Sequence, residues 1–322
     1  MTEVQSAGLS ASVPPPLSAK IRNKLKYLFF RQKWNVGVIA HPIHIVAGLK
    51  GASLQSKALK DTVWMMEQEG GFKADPFITR LDQVDGDFMI YYEQLEWKKN
   101  KGRIDLAYYD GKVFHDKGIS LDTPFHLSYP FVVNFEGVWG YVPEHAQSKD
   151  TSFYSLDETG TILKKSIIKR NMDSIDNTFM VLGDKLWWFA TKAGPNENSD
   201  LYIYYSDGFD KPWHAHKKNP VKSDIANSRP AGQPFQYRSD YFRPAQNCSS
   251  YYGESVVVNR VVKLSEHEFE EVPVSEISPV EGSRYDYGLH TISHCSGFCA
   301  IDGGRLESSL HPSLDQYSRY FR

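Results

Sequence analysis

The chain has 322 residues, 41% of them hydrophobic and 14% aromatic, with a formal net charge of −2. That is enough apolar material for a sizeable core, and the near-neutral charge gives no global field for nucleic acid or an acidic membrane. Three cysteines (Cys248, Cys295 and Cys299) are too few and odd in number for a disulfide framework, which fits a reducing, cytoplasmic setting.

Residues 1–17, "MTEVQSAGLSASVPPPL", are small, polar and proline-rich and read as a disordered leader. "SAKIRNKLKYLFFRQK", residues 18–33, is basic and mildly amphipathic. Ser18 suits a helix cap, and Ile21, Leu25, Leu28 and Phe29 form an apolar side. Such a short helix packs on the body or lies on a membrane surface. No run approaches the length of a transmembrane span, and no signal peptide is apparent.

Beyond residue 34 the texture becomes that of strands. "SKALKDTVWMMEQ", residues 56–68, is the one clear helical candidate. Short apolar or alternating runs follow, such as "DFMIYYEQ", "IDLAYYDGKVF", "FMVLGDKLWWFATK" and "ESVVVNRVVKL". Asp110-Gly111, Glu136-Gly137, Gly183-Asp184 and Asp207-Gly208 are hairpin signals between them.

A repeat emerges from the strand starts "ADPFITRL", "HLSYPFVV", "SIDNTFMVL", "SRPAGQPF" and "LHTISHCSGF". With Asp75, Tyr129, Asp176, Arg229 and His290 as anchors, the intervals are 54, 47, 53 and 61 residues. A period near fifty with several strands per unit is that of a propeller blade. The prediction is an all-β, five-bladed β-propeller over residues 34–305, with a C-terminal tail over 306–322. "KWNVGVIA", residues 33–40, stands alone before the first anchor. It is expected to close the ring by joining the last blade, because an unclosed propeller leaves two exposed edges.

Innermost strands line the channel of a propeller, so the five anchors should converge at one mouth. The ends of the second strands should border it, bringing Glu93, Glu144 and Gln246. Two carboxylates, an Arg and a His are costly to bury without partners. They point to a polar pocket for a polyhydroxylated ligand, or to an Arg–Asp network that glues the channel.

The motifs "ADPF", "HLSYPFV", "YVPE", "IDNTF", "LYIYYSD", "SRPAG", "FRPAQNCSSYYG" and "GLHTIS…AIDG" resemble the N-terminal propeller of glucosamine inositolphosphorylceramide transferases. More distantly they resemble the propellers of glycoside hydrolase families 43 and 32. The resemblance implies a carbohydrate-active protein that makes or breaks a glycosidic bond on a carbohydrate or sugar nucleotide. It implies Asp75 as base or nucleophile and Asp176 as the orienting carboxylate. Where the hydrolases carry their blade-four acid, this chain has Arg229, so Glu144 becomes the substitute acid. Arg229, His290, Tyr129, His126, Arg243, Gln246 and Glu93 are then the substrate-binding candidates. The last-blade His of family 43 lies near a channel metal, often calcium held largely through water, which places that expectation on His290. No other cofactor is implied, and "SHCSGFC" lacks zinc-site spacing. A non-catalytic propeller that binds a glycan or sugar nucleotide and acts with a separate glycosyltransferase is the alternative.

Overall fold

The computed structural model describes residues 29–80 and 88–308. The leader and the N-terminal part of the predicted basic helix lie outside the described residues. The C-terminal part of that helix does not form, because Phe30–Ile39 is strand β1. The helix predicted over 56–68 is also shifted. The helix observed is Ala52–Lys60, preceded by a single turn at Ile43–Val46. It stops where the β-branched and aromatic residues begin, and Val63–Trp64 forms strand β2 along β1.

Five antiparallel sheets make the ring. The first blade holds β3 (Gly71–Thr79), β4 (Phe88–Glu96), β5 (Lys101–Tyr109) and β6 (Phe114–Leu121). The second holds β7 (Ser128–Phe135), β8 (Val138–Glu144), β9 (Asp150–Leu156) and β10 (Ile162–Arg170). The third is built from β11 (Ser174–Leu182), β12 (Lys185–Lys192) and β13 (Asp200–Ser206), with the two-residue strands β14 (His214–Ala215) and β15 (Lys222–Ser223) at its edge. The fourth comprises β16 (Phe235–Tyr237), β17 (Asp240–Asn247), β18 (Ser255–Leu264) and β19 (Phe269–Ile277). The fifth orders β20 (Ile292–Cys295), β21 (Phe298–Ser308), β1 and β2.

Strand position in the blade explains the residue patterns. β4 reads "FMIYYEQLE" and is buried almost throughout, since neighbouring blades cover both of its faces. The outer strands β6 and β10 carry charged residues and are largely exposed. β1 and β21 pair without interruption from Phe30–Ser308 to Ile39–Cys299, which is the expected closure. The propeller therefore runs slightly past residue 305, because β21 continues to Ser308.

The channel is packed. Phe77, Phe131 and Phe179, from three successive inner strands, pack edge-to-face and tilted, with centroids 5.3 and 5.7 Å apart. Above them the first three anchors share one local geometry. Asp75, Tyr129 and Asp176 all have left-handed backbone, with φ of 52°, 42° and 53°. Each sits where the register of the inner strand slips against its neighbour. These are bulges that turn one side chain toward the ring axis. Left-handed backbone costs a non-glycine residue roughly 1–2 kcal/mol, so the surrounding contacts hold all three in place. Blade four lacks a regular strand here and approaches blade five closely instead. A Cβ on Gly232 would lie 1.8 Å from the Ile292 carbonyl oxygen, and its φ of +115° already favours glycine.

Trp34, on the closing strand, is 2% exposed and packs against Gly253, Gly288 and Gly304. Trp34→Ala is expected to cost about 3–5 kcal/mol, read as a lowered urea midpoint at unchanged m-value. A loss below about 1 kcal/mol would mean that the closing strand is not anchored there.

Candidate active site at the channel mouth

Four of the five anchors and the ends of several second strands form one contiguous polar cluster, in two halves. The first half centres on Asp75. Its Oδ1 accepts the Thr291 hydroxyl at 2.6 Å and lies 3.5 Å from His290 Nε2. Its Oδ2 accepts the Tyr129 N–H at 3.2 Å. The Asp75 N–H donates to Asp302 Oδ2 at 3.2 Å. Asp302 also accepts the N–H groups of His290 (2.9 Å) and Thr291 (3.0 Å). An ion-pair contact of 2.6 Å joins Asp302 Oδ2 to His290 Nδ1. The imidazole lies tilted against Trp34 with ring centroids 4.2 Å apart, and with Tyr252 edge-on at 5.3 Å.

The second half centres on Asp176. Its Oδ2 accepts Arg229 Nε at 2.6 Å and Gln246 Nε2 at 3.0 Å. Arg229 Nη1 donates to Asn198 Oδ1 at 2.9 Å, and the guanidinium lies 5.1 Å from the Tyr252 ring centroid. Glu144, opposite Ser128 at the end of β8, lies near enough to Asp176 for that carboxylate to add to the upward push of burial on its pKa. Gln246 donates also to the Pro230 carbonyl at 3.0 Å, which fixes its amide.

Burial sets the protonation states. It pushes the Asp75 carboxyl up to about 6, against the pull of the His290 charge and with the push of Asp176 and Asp302. Burial, then the neighbouring Asp176, pushes Glu144 up to about 8, with Arg229 opposing. The Glu144 residue is partly exposed at the mouth, whereas Asp75 and Asp176 are buried. Burial disfavours a charged His290, but Asp302 and Asp75 override it and raise its pKa. Burial likewise opposes a charged Arg229, and Asp176 reverses the sign and holds it cationic. Burial thus raises both carboxyls, that of Glu144 further than that of Asp75.

The remaining candidates have other placements. Tyr129 forms the floor of the site. Its ring packs on Phe77 at 4.9 Å, and its hydroxyl meets Thr178 Oγ1 at 2.7 Å and the Gly232 N–H at 2.5 Å. Burial drives its pKa far upward, so it is a neutral hydrogen-bonding group. Glu93 and His126 pair with each other at 3.4 Å, and His126 Nδ1 accepts the Gly102 N–H. Arg243 is not at the mouth. It is fully buried inside blade four, where it grips Glu271 with Nε and Nη2 (2.9 and 2.6 Å) and the carbonyls of Asn227 and Ser228. Residues 243 and 246 are three apart in one regular strand and so point to opposite faces. That spacing could have excluded Arg243.

Sequence reasoning missed Asp302, the residue with most contacts to the Asp75 half. Its signal was available: "AIDG" sits in the second strand of the last blade, the level at which Glu93, Glu144 and Gln246 were found. Asn198, Tyr252 and Thr291 were also missed, since they depend on loop conformation.

For the calcium expectation, Asp75, His290 and Asp302 each bring one donor atom within 4.8 Å of the others. The four carboxylate oxygens already accept N–H or O–H groups, and among the described residues His290 Nδ1 is left without a hydrogen-bond partner, so a calcium ion held here would draw most of its 6–8 oxygens from water.

Fold and site together define a five-bladed propeller with an acidic, cation-balanced channel mouth. The chain belongs to the family described as glucosamine inositolphosphorylceramide transferase 1, N-terminal, whose family model matches residues 60–286. A protein named glucosamine inositolphosphorylceramide transferase 1 from Oryza sativa subsp. japonica is 35% identical over 222 residues, covering 64% of this chain and 29% of the relative. The protein of that name from Arabidopsis thaliana is 31% identical over 215 residues, covering 63% and 27%. The chain thus spans less than a third of the length of these relatives. Among solved structures, the exo-β-1,3-galactanase 1,3Gal43A of Clostridium thermocellum superposes with a TM-score of 0.53 at 14% identity, covering 67% of this chain and 54% of that one. A family 117 glycoside hydrolase of Zobellia galactanivorans gives 0.51 at 12% identity, covering 79% and 94%. At such identities the likeness is one of fold. Among the described residues, no helix is long and apolar enough to cross a membrane.

Arg229→Leu should destabilise the protein by about 3–5 kcal/mol, because it strands the buried Asp176 charge. Adding Asp176→Leu should restore most of that loss, measured as a double-mutant cycle in urea. Additive losses would show that the two groups are not coupled.

Proposed function

We propose that the channel mouth binds a carbohydrate or sugar nucleotide and carries acid–base chemistry at a glycosidic bond. Asp75 acts as base or nucleophile, Glu144 as general acid and Asp176 as the carboxylate that orients the acid. The observation that supports this most is the convergence of Asp75, Asp176 and Glu144 with Arg229 and Gln246 in one polar cluster where the inner strands of the blades meet, and burial raises the two outer carboxyls unequally. Asp75 is ionised above about 6 and Glu144 stays protonated to about 8, so both hold their working forms together in that window. The relatives' name, and the galactan-acting and other glycoside hydrolases that share the fold, support a sugar as the ligand class.

The same geometry assigns the other groups. Gln246 and Arg229 fix the Asp176 carboxylate from one side. Thr291 and the Tyr129 N–H fix that of Asp75 from the other. Arg229 directs Nε and Nη1 to Asp176 and Asn198, so its first role is to pair with Asp176 and hold it in place. A substrate anion would be met by what remains of its fork.

A second reading, glycan binding without turnover, is favoured by two observations. Arg229 stands where a hydrolase acid would be, and the chain matches only a minor part of relatives named as transferases. The mouth then presents a sugar to chemistry carried out elsewhere in a longer protein or by a partner.

One experiment separates the readings. The chain and its Asp75→Asn variant are assayed for hydrolysis of a panel of aryl glycosides and β-1,3-galactan, and for transfer from nucleotide sugars to inositol phosphates. Binding is followed by calorimetry. The proposal expects turnover in the native chain, a loss of at least about a thousandfold in Asp75→Asn, and retained binding. Saturable binding with no turnover in either protein establishes the second reading; neither binding nor turnover overturns both.

If turnover is found, its rate should trace a bell against pH. It should rise as Asp75 ionises near about 6 and fall as Glu144 loses its proton near about 8. The two apparent values belong to the coupled cluster. Glu144→Gln should abolish the alkaline limb; a persisting limb would remove Glu144 from the acid role.

A further inference from the structure

We infer that the fifth blade carries a second binding site, beside the channel mouth, for a phosphorylated polyol: Arg305 and Arg284 take the phosphate, Asp286 takes a hydroxyl and Tyr287 forms the wall against the ring. The site goes beyond the proposed function, since no carboxyl of the acid–base cluster takes part and no turnover is needed.

A groove of about 560 Å³ is lined by Arg284, Asp286, Tyr287, Arg305 and Leu306. Pockets for small ligands run to roughly 300–1,000 Å³. Strand and loop set this one close to the mouth. Arg305 follows Asp302 by three residues on β21, which is about 10 Å along a strand. Tyr287 precedes His290 by three residues, and its N–H donates to the Gly304 carbonyl at 2.9 Å.

The surroundings of the groove hold an excess of positive charge. Glu67 meets Arg305 Nε and Nη2 at 3.1 and 3.0 Å, Arg284 Nη2 at 3.0 Å and Lys33 Nζ at 3.4 Å. Glu307 meets Arg31 Nη2 at 2.8 Å, Arg305 Nη2 at 3.2 Å and Lys33 Nζ at 3.6 Å. Four cations thus share two carboxylates. A third carboxylate, Asp286, is exposed at the groove and, among the described residues, pairs with none of the four. Glu67 is also fixed by the Tyr285 hydroxyl, which donates to it at 2.8 Å and accepts Asn35 Nδ2 at 2.8 Å.

These contacts occupy only one edge of each arginine at the groove. Arg305 spends Nε and Nη2 on Glu67 and Glu307, and among the described residues its Nη1 has no protein acceptor. Arg284 gives Nη2 to Glu67, and its side chain is 66% exposed. A guanidinium anchored along one edge and unengaged along the other is preorganised for phosphate oxygens. The same network ties the closing strand to β21, but glue alone would leave neither unengaged donors nor a groove.

The rest of the lining narrows the ligand class. The Tyr287 ring is stacked on Tyr251 at 4.3 Å and 13°, and the Tyr251 hydroxyl donates to the Tyr287 carbonyl at 2.7 Å. That fixed aromatic wall suits the apolar face of a sugar or cyclitol ring. An ionised Asp286 is acceptor-only, so it favours a hydroxyl and repels a bare anion. The combination selects a phosphorylated polyol over inorganic phosphate. A free sugar or cyclitol phosphate and a lipid headgroup share this chemistry.

The test is calorimetry of the full chain with inositol monophosphate, glucose 6-phosphate, unphosphorylated inositol and inorganic phosphate. It is paired with sedimentation on phosphatidylcholine vesicles with and without phosphatidylinositol. The expected result is saturable binding of a phosphorylated polyol, at least about tenfold tighter than that of inositol or inorganic phosphate. It should weaken at least about tenfold in Arg284→Gln and in Arg305→Gln, and persist in Asp75→Asn. Arg284 is exposed, so its variant carries the test if Arg305→Gln does not fold. Binding of the soluble phosphates identifies a free ligand. Binding confined to phosphatidylinositol vesicles, and lost in the same variants, identifies a headgroup. No saturable binding in either arm would overturn the inference. So would equal binding of inositol or inorganic phosphate, an affinity unmoved in folded Arg284→Gln, or binding abolished by Asp75→Asn. Absence of turnover would defeat the catalytic reading and leave this site standing.

Discussion

Charge buried at the centre of a ring has to be answered by a neighbour, and in this protein the neighbour is nearly always on another blade. Asp176 of the third blade is held by Arg229 and Gln246 of the fourth and approached by Glu144 of the second. Asp75 of the first blade is held by Thr291, His290 and Asp302 of the fifth and by the Tyr129 N–H of the second. Hydrophobic packing between blades is non-directional, so it can tolerate small rotations of one sheet on the next. Hydrogen bonds of 2.6 to 3.2 Å cannot. The polar mouth therefore fixes the angular relation of all five blades, and the left-handed bulges are the local distortion that delivers the side chains to it.

That arrangement is dear in stability. Buried ion pairs often contribute less than an apolar replacement of the same shape would, and the apolar replacement is visible one layer below, where three phenylalanines fill the channel. A protein that needed only glue could have continued that column upward. The change from aromatic packing to a cluster of buried carboxyls, with those of Asp75 and Glu144 pushed upward by burial, is what the proposed function builds on. The Arg229–Asp176 pair belongs to both descriptions: it ties two blades and it defines the charge that Glu144 experiences.

Much of this was legible in the sequence. The hairpin dipeptides and the fifty-residue spacing gave the blades, because turn chemistry and strand periodicity are local properties. Closure by residues 33–40 followed from the need to cover two edges. Asp75 and Asp176 could be paired through the repeat alone. The errors have equally definite causes. Arg243 was placed at the mouth by its neighbours in "FRPAQN", against the two-residue alternation that turns it into the blade beside Glu271. The helix predicted over residues 56–68 ignored the strand preference of Thr62, Val63 and Trp64. Asp302 was quoted within a motif and given no role, since its importance comes from backbone groups of Asp75, His290 and Thr291 that only the folded chain assembles.

The pairing of β1 with β21 joins residues about 270 positions apart in the chain, from Phe30–Ser308 to Ile39–Cys299. Contacts of such long sequence separation are paid for in chain entropy before they are rewarded, and they slow folding. Four blades can form from consecutive hairpins, but the fifth has no third strand until the two distant segments meet. Trp34 arrives with that strand, and with it the platform under His290. The catalytic candidate Asp75 is thus translated early and completed late: its backbone partner Asp302 lies on the strand that β1 must find. A nascent or truncated chain could display well-formed hairpins and still lack the charge pattern of the mouth, so acquisition of that pattern would report the last step of folding and not the first.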